Sequence, residues 1–101
     1  MAAFKFDIGV IGCSALDQDG DILDFDLREV GVSQTILMQS RRAMLIADHT
    51  KFKRSAPARI GSLSEIDDFV TDAPISSPLQ SQCGRWKTKI HVCTQNRDKK
   101  L

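Results

Sequence analysis

Four short apolar runs, separated by polar segments, constrain the fold of this chain more than any other feature of its sequence. The runs are residues 8–13, 43–47, 69–70 and 90–93. Near-continuous apolar runs of this length are typical of strands buried on both faces, and such strands usually belong to a parallel sheet. The sequence therefore predicts an α/β fold built around a parallel sheet.

A helix is predicted between the first two runs. Asp26 and Glu29 have the spacing of an N-cap residue and the third residue of a helix, which places a helix start near Leu27 and an end near Arg41. A strand, a helix and a second strand then fit within residues 8–47, the length expected of a right-handed βαβ crossover.

A second, shorter helix is predicted before the last run. Ser77, Pro78 and Gln80 have the spacing of an N-cap residue, a proline at the first helical position and a glutamine at the third. Gly84 is the expected stop. No regular structure is assigned to the region between Phe52 and Asp68.

Composition limits the chain to one small domain. It has 101 residues and a formal charge of +1, so it lacks the overall basic field that attracts DNA or acidic membranes. No apolar stretch approaches the length of about 20 residues that a membrane span needs. The first residues do not have the pattern of a secretory signal, so we expect a cytoplasmic protein. The three cysteines are odd in number and lack the spacing of a disulfide framework, so we expect their thiols to be reduced.

No metal or cofactor site is predicted. The aspartates of residues 17–26 alternate as in a calcium loop. Such a loop needs a glycine at its sixth position, but Gly20 is at the fourth, so we interpret these residues as an acidic turn and helix start. Cys83, His91 and Cys93 do not have the spacing of structural zinc ligands. Both glycine-rich nucleotide-binding motifs are absent from the sequence.

Polar residues follow three of the apolar runs. They are Gly12, Cys13 and Ser14 after the first, Asp48, His49, Thr50 and Lys51 after the second, and Thr71 and Asp72 after the third. Ligands of open α/β sheets bind outside the carboxyl ends of the strands, so these residues are the candidate site. Lys51 and the Thr50 hydroxyl are suited to bind a small phosphorylated anion, while the alternative is a solvated basic loop.

Three longer segments carry a family resemblance. They are IGCSALDQDGDILDFDLREV (11–30), RRAMLIADHTKFKRSA (41–56) and LSEIDDFVTDAP (63–74), and the most specific motifs are ADHTKF (47–52) and ID-x-x-x-TD (66–72). The segments resemble the C-terminal effector-sensing domain of DeoR-family bacterial transcriptional repressors. The resemblance covers residues 6–93.

The resemblance implies a partial Rossmann-like parallel sheet with crossover helices, similar to the fold of ribose-5-phosphate isomerase and glucosamine-6-phosphate deaminase. It implies a non-enzymatic sensor in which a phosphorylated effector binds at the strand ends and relieves repression. Residues 24–29, DFD-x-x-E, favour glycerol 3-phosphate or an analogue as the effector. Residues 1–94 are then the latter part of the sensing domain, and residues 95–101 are a disordered polar tail. DNA binding is assigned to a helix-turn-helix absent from this chain, and a homo-oligomer is expected.

By motif matching, the resemblance assigns five residues to effector binding: Gly12, Ser14, Glu29, Asp48 and Lys51. The strand-end argument adds Thr50 through its hydroxyl. Two positions depart from the family pattern. Ala15 stands where glycine is common, and Lys53 stands where glycine usually follows KF. A glycine with positive φ at position 53 would make Lys53 a source of backbone strain.

Two other classes of function stay open at this point. One is a residual sugar-phosphate isomerase that uses Glu29, Asp48 or Asp72 as acid and base. The other is an oligomerisation module without a ligand, because a sheet edge and an apolar helix face would be exposed.

Overall fold

The structure, a computed structural model, describes residues 5–93, which form two sheets and two α-helices. In chain order the strands are β1 (Phe6–Ile11), β2 (Ala15–Leu16), β3 (Asp21–Asp24), β4 (Ser40–Ile46), β5 (Ala58–Ser62), β6 (Asp68–Thr71) and β7 (Lys89–Val92). The helices are α1 (Leu27–Gln39) and α2 (Ser77–Trp86), and two 3₁₀ turns cover His49–Lys53 and Leu63–Glu65. None of the helices in this part of the chain is long and apolar enough to cross a membrane. The expected tail, residues 95–101, lies outside the described residues.

The four apolar runs form the predicted parallel sheet, in the order β1-β4-β6-β7. Ile11 of β1 pairs with Leu45 of β4, and Leu45 pairs with Phe69 of β6. Helix α1 lies in the connection from β1 to β4, and α2 connects β6 to β7. The predicted α/β fold with crossover helices is therefore confirmed.

The prediction that these strands are buried on both faces is wrong for β1, β4 and β7. Ile8, Val10 and Ile46 are 54%, 50% and 51% exposed. Alternate residues of a strand point to opposite faces of its sheet. Both helices contribute to one core on the opposite face, through side chains such as Val30 of α1 and Leu79 of α2. The face that carries Ile8, Val10 and Ile46, called the open face below, has no helix of the described chain against it.

Helix α1 begins where the sequence predicts and ends earlier. Asp26 is the N-cap, and its carboxylate accepts a hydrogen bond from the Arg28 N–H at 2.9 Å. In a capping box, the N–H of the N-cap residue donates to the third residue of the helix, here Glu29. The Asp26 N–H donates instead to Asp24 Oδ1, which precedes it in the chain. The helix ends at Gln39, not near Arg41, because residues 40–46 extend as β4 along β1.

Helix α2 also differs from its prediction at both ends. Its N-cap is Ser76 and not Ser77, and the Ser76 hydroxyl accepts from the Leu79 N–H at 3.4 Å. Gly84 does not stop the helix, which continues to Trp86. Lys87 ends it with a left-handed conformation, φ 64°, the role that glycine usually has.

A small antiparallel sheet, β2-β3-β5, was not predicted. The acidic run forms the turn between β2 and β3, where Gly20 has a φ of 93°, and then β3 itself. Arg59 of β5 forms an ion pair with Asp21 of β3, with Arg59 Nε 3.0 Å from Asp21 Oδ1. The region that was assigned no regular structure contains β5 and a 3₁₀ turn capped by Ser62 and Glu65.

Candidate functional site

The polar residues predicted to share one edge of the sheet do so. β1, β4 and β6 are parallel, so residues 12–14, Asp48 and Asp72 all follow carboxyl ends of strands at the same edge. A Cβ built on Gly12 would lie 3.9 Å from the Ile46 carbonyl oxygen, which places the loop after β1 beside the end of β4.

His49 and Asp72 connect the ends of β4 and β6. The His49 N–H donates to Asp72 Oδ1 at 2.8 Å, and His49 Nδ1 lies 3.0 Å from the same oxygen. The hydrogen bond from the His49 N–H, followed by that from its ring, lowers the pKa of the Asp72 carboxyl below its ordinary value. Asp72 is therefore a charged anchor for the first 3₁₀ turn at neutral pH.

Asp48 organises that turn from its N-cap position. Its Oδ1 accepts from the Thr50 N–H at 3.0 Å and from the Thr50 hydroxyl. The bond from the Thr50 hydroxyl is the main cause that lowers the pKa of Asp48. Lys51 Nζ lies 3.9 Å from Asp48 Oδ2, and the Lys51 side chain is 23% exposed. The turn therefore holds one ammonium group at the edge of the sheet.

The loop after β1 lies beside this ammonium group. Burial raises the pKa of the Cys13 thiol to about 11, the charge of Lys51 opposes that rise, and the charges of Asp24 and Asp48 add to it. Charges act on a thiol in this way only at short range, so the side chains of Lys51, Asp24 and Asp48 lie near Cys13. In addition, β2, which follows the loop, packs against the first 3₁₀ turn.

Two of the residues predicted to bind the effector, Ser14 and Glu29, make no contact with the first 3₁₀ turn among the hydrogen bonds and ion pairs of residues 5–93. The Ser14 N–H donates to the Leu23 carbonyl at 3.0 Å, so Ser14 begins the small antiparallel sheet. Glu29 is exposed in the first turn of α1, and within residues 5–93 no hydrogen bond or ion pair joins it to Lys51. Asp24 and Asp26 already accept hydrogen bonds at the start of α1, so a phosphate would meet carboxylates there.

A cleft of about 160 Å³ opens between the ends of β4 and β6. Its lining combines apolar walls with carboxylates and a hydroxyl: Ile46, Ala47, Asp48, Val70, Thr71, Asp72 and Cys93. Lys51 is near the cleft through its contact with Asp48. An ammonium group beside apolar walls and hydrogen-bond acceptors suits a small molecule that combines one anionic group with hydroxyl groups.

The side chains suggested by the zinc pattern do not form a cluster. Cys83 is buried in the core, and His91 Nε2 lies 3.0 Å from Asp68 Oδ1 on the open face. Over residues 5–93, no three His, Cys, Asp or Glu side chains are grouped closely enough to hold a metal ion.

Sequence reasoning did not include Asp24, Thr71 and Asp72 among the effector-binding residues. Thr71 and Asp72 could have been included, because both follow an apolar run at the same predicted edge. Asp24 gave no such signal, since its approach to Cys13 depends on the hairpin of β2 and β3.

Comparison with known proteins adds a family to this geometry. Residues 1–73 match the family model described as the DeoR C-terminal sensor domain. The chain is 42% identical over 96 residues to the glycerol-3-phosphate regulon repressor of Haemophilus influenzae, and the aligned region covers 92% of this chain and 36% of that protein. It is 43% identical over 74 residues to the repressor of the same name from Escherichia coli K12, and this aligned region covers 73% of this chain and 29% of that protein.

A more distant relative has a different name. The HTH-type transcriptional repressor CsqR of Escherichia coli K12 is 33% identical over 82 residues, 81% of this chain and 31% of that protein. The chain thus spans about a third of the length of the curated relatives it matches.

Proposed function

This chain belongs to the family of DeoR C-terminal sensor domains, and from that premise we propose that it senses glycerol 3-phosphate or a close analogue for a bacterial transcriptional repressor. The name shared by two of its relatives supports the choice of effector. The proposal includes a fold similar to that of the sugar-phosphate isomerases, with the effector at the strand ends.

The position of Lys51 is the observation that carries the proposal. A phosphate monoester has up to two negative charges and is best bound by charge-assisted hydrogen bonds from a cation. Lys51 is held by Asp48 at the sheet edge, beside the loop that contains Gly12 and Ser14. We assign the phosphate to Lys51, with the turn that contains Thr50 and Asp48 as its support.

The carboxylates of the edge have a different role in the proposal. A carboxylate accepts hydrogen bonds from hydroxyl groups and repels phosphate. We therefore assign Glu29, with Asp24 at the same helix start, to one hydroxyl group of the effector, and the carboxylates that line the cleft to the other. This orientation separates the two ends of glycerol 3-phosphate along the edge.

Effector binding relieves repression only if it favours one of two states of the repressor. The effector must bind more tightly to the state that releases DNA than to the state that holds it. We assign DNA binding to a helix-turn-helix outside this chain, and we assign the assembled regulator to the cytoplasm, where bacterial DNA is transcribed.

The effector assignment is tested by isothermal titration of the chain with glycerol 3-phosphate. Lys51→Gln should weaken binding at least tenfold, because it removes the cation at the phosphate. Lys89→Gln is the matched control, since Lys89 is exposed at the opposite end of the parallel sheet and its loss changes the net charge equally. Equal affinities of Lys51→Gln and the native chain would contradict the assignment.

The state of the carboxylates supports a sensor over an isomerase. A general base works best with a pKa near the operating pH, but the pKa values of both Asp48 and Asp72 are lowered by hydrogen bonds from the first 3₁₀ turn. Both groups are already committed to ordering that turn. Turnover of a sugar phosphate by the purified chain would contradict this conclusion.

A separate observation favours a second candidate function, self-association. Parallel sheets are normally covered on both faces, yet Ile8, Val10 and Ile46 form a half-exposed apolar area on the open face. We propose that this chain forms a homo-oligomer through the open face. Sedimentation velocity without ligand should show a dimer or a larger species, and Val10→Lys should reduce it to a monomer. A native chain that stays monomeric at about 100 µM, a concentration at which even a weak dimer forms, would contradict the proposal.

A further inference from the structure

Two threonine side chains are buried in the part of the chain that the structure describes, and they differ in one respect. Thr88 is 5% exposed, and its hydroxyl lies 2.8 Å from the Leu63 carbonyl oxygen and 2.9 Å from that of Ile66. Thr71 is 3% exposed, and its hydroxyl has no hydrogen-bond partner among residues 5–93. A buried hydroxyl without a partner costs stability, so it calls for an explanation.

The place of Thr71 suggests what the hydroxyl is for. Thr71 is the last residue of β6, it directly precedes Asp72, and it lines the cleft at the sheet edge. The cleft has a volume of about 160 Å³, which exceeds the space that a single water molecule needs. Rotation about χ1 moves a threonine hydroxyl among three staggered positions, so this buried hydroxyl can change its direction without a backbone change.

We propose that Thr71 recognises a hydroxyl group of the effector and thereby selects phosphorylated polyols over simple alkyl phosphates. This inference rests on the proposed function, because it assumes that the phosphate lies at Lys51. The apolar side chains that line the cleft then receive the carbon chain, and Thr71 supplies a polar partner where β6 ends.

The charges of the edge agree with this orientation. Asp48 and Asp72 line the cleft, whereas Lys51 does not. The two carboxylates exclude a phosphate group from the cleft but accept hydrogen bonds from hydroxyl groups. The neutral end of the effector therefore occupies the cleft.

The test compares two ligands on the native chain and three variants of the full chain. Glycerol 3-phosphate and n-propyl phosphate have the same phosphate and three carbons, but the second lacks hydroxyl groups. Thr71→Val removes the hydroxyl with little change in shape, and Thr88→Val does the same at the buried threonine that has partners. Calorimetry measures both affinities, and thermal unfolding measures each variant without ligand.

We expect Thr71→Val to weaken glycerol 3-phosphate binding about tenfold, the loss typical of one hydrogen bond, and to change n-propyl phosphate binding less than twofold. Its Tm should equal or exceed that of the native chain. Thr88→Val should lower the Tm and keep the native ratio of the two affinities. Thr71→Ser retains a hydroxyl and should also keep that ratio.

The outcomes separate this inference from the proposed function. If the native chain binds neither phosphate ester, the proposed function is wrong and this inference falls with it. If the native chain binds glycerol 3-phosphate and Thr71→Val leaves the ratio unchanged, only the role of Thr71 is overturned. A Tm for Thr71→Val as low as that of Thr88→Val would show that the Thr71 hydroxyl has a structural partner, which also overturns it.

Discussion

His49 and Asp72 join the ends of two neighbouring strands, with the His49 N–H 2.8 Å from Asp72 Oδ1 and the imidazole Nδ1 3.0 Å from the same atom. The first 3₁₀ turn, which carries Lys51, is thus fixed at the end of β6 as well as at the end of β4. The position of the ammonium group depends on a residue that follows it by more than twenty positions in the chain.

Replacement of Asp72 by alanine should therefore weaken effector binding without touching Lys51. Loss of the acceptor for the His49 N–H frees the turn, and we expect affinity for glycerol 3-phosphate to fall several-fold. Asp72→Asn is the control, because its side-chain carbonyl oxygen still accepts that hydrogen bond. Calorimetry on both variants measures the effect, and equal affinities for Asp72→Ala and the native chain would contradict this role.

Gly9 of β1 should tolerate no side chain. A Cβ at this position would overlap Ser40 Oγ and would lie 2.7 Å from Ile36 Cγ2, where α1 meets β4. Gly9→Ala should lower the free energy of unfolding by about 1–3 kcal/mol, the usual cost of overpacking. Gly31→Ala in α1 meets nothing within 4 Å and should raise it by about 0.5–1 kcal/mol. Denaturant unfolding tests the pair, and opposite signs are the required result.

Asp68 should contribute to acid sensitivity. Its side chain is 7% exposed on the open face, and hydrogen bonds from His91 and then from Arg42 lower the pKa of its carboxyl below the ordinary 3.8. The unfolded chain therefore binds this proton more readily, so the contribution is present above pH 3.8 and is lost as the pH falls through the lower pKa of the folded state.

Asp68→Asn should accordingly lower the Tm at pH 7 and reduce the slope of Tm against pH below about pH 4. Asp19→Asn, in the exposed turn before β3, removes the same charge and should leave both quantities close to the native values. Differential scanning calorimetry from pH 2 to pH 7 makes the comparison. An unchanged acid slope in Asp68→Asn would contradict the role of this carboxylate.

The Cys13 thiol should be unreactive at moderate pH although it lies beside the proposed site. With a pKa of about 11, roughly one molecule in a thousand has a Cys13 thiolate at pH 8. Cys93 is exposed and should react with iodoacetamide well before Cys13. Peptide mass spectrometry of timed samples measures both rates, and similar rates would show that Cys13 is not desolvated.

The parts of the fold that were predicted depend on local patterns. Apolar runs identified the strands of the parallel sheet, and Asp26 identified the start of α1, because a cap contacts only residues in the next turn. The strand-end argument then located His49, Lys51 and Asp72 together, since parallel strands end at one edge.

The parts that were missed depend on contacts between distant residues. Arg42 is drawn into β4, and Arg42 Nε donates to Asp68 Oδ2 at 2.8 Å, a pairing that no pattern near Arg42 reveals. β2 has two residues and β3 four, too few for a periodic pattern, and their sheet is completed by β5 far along the chain. Burial on one face was missed because an apolar run does not reveal on which sides a sheet is covered.

The most direct test of the account is a ¹⁵N–¹H correlation spectrum of the chain titrated with glycerol 3-phosphate, with glycerol and inorganic phosphate as controls. The account predicts saturable shifts with the phosphate ester that cluster at residues 12–14, at the first 3₁₀ turn and at Thr71 and Asp72, with weaker or no shifts from the two controls. A dispersed spectrum that none of the three compounds changes would contradict the claim that this edge of the sheet binds the effector.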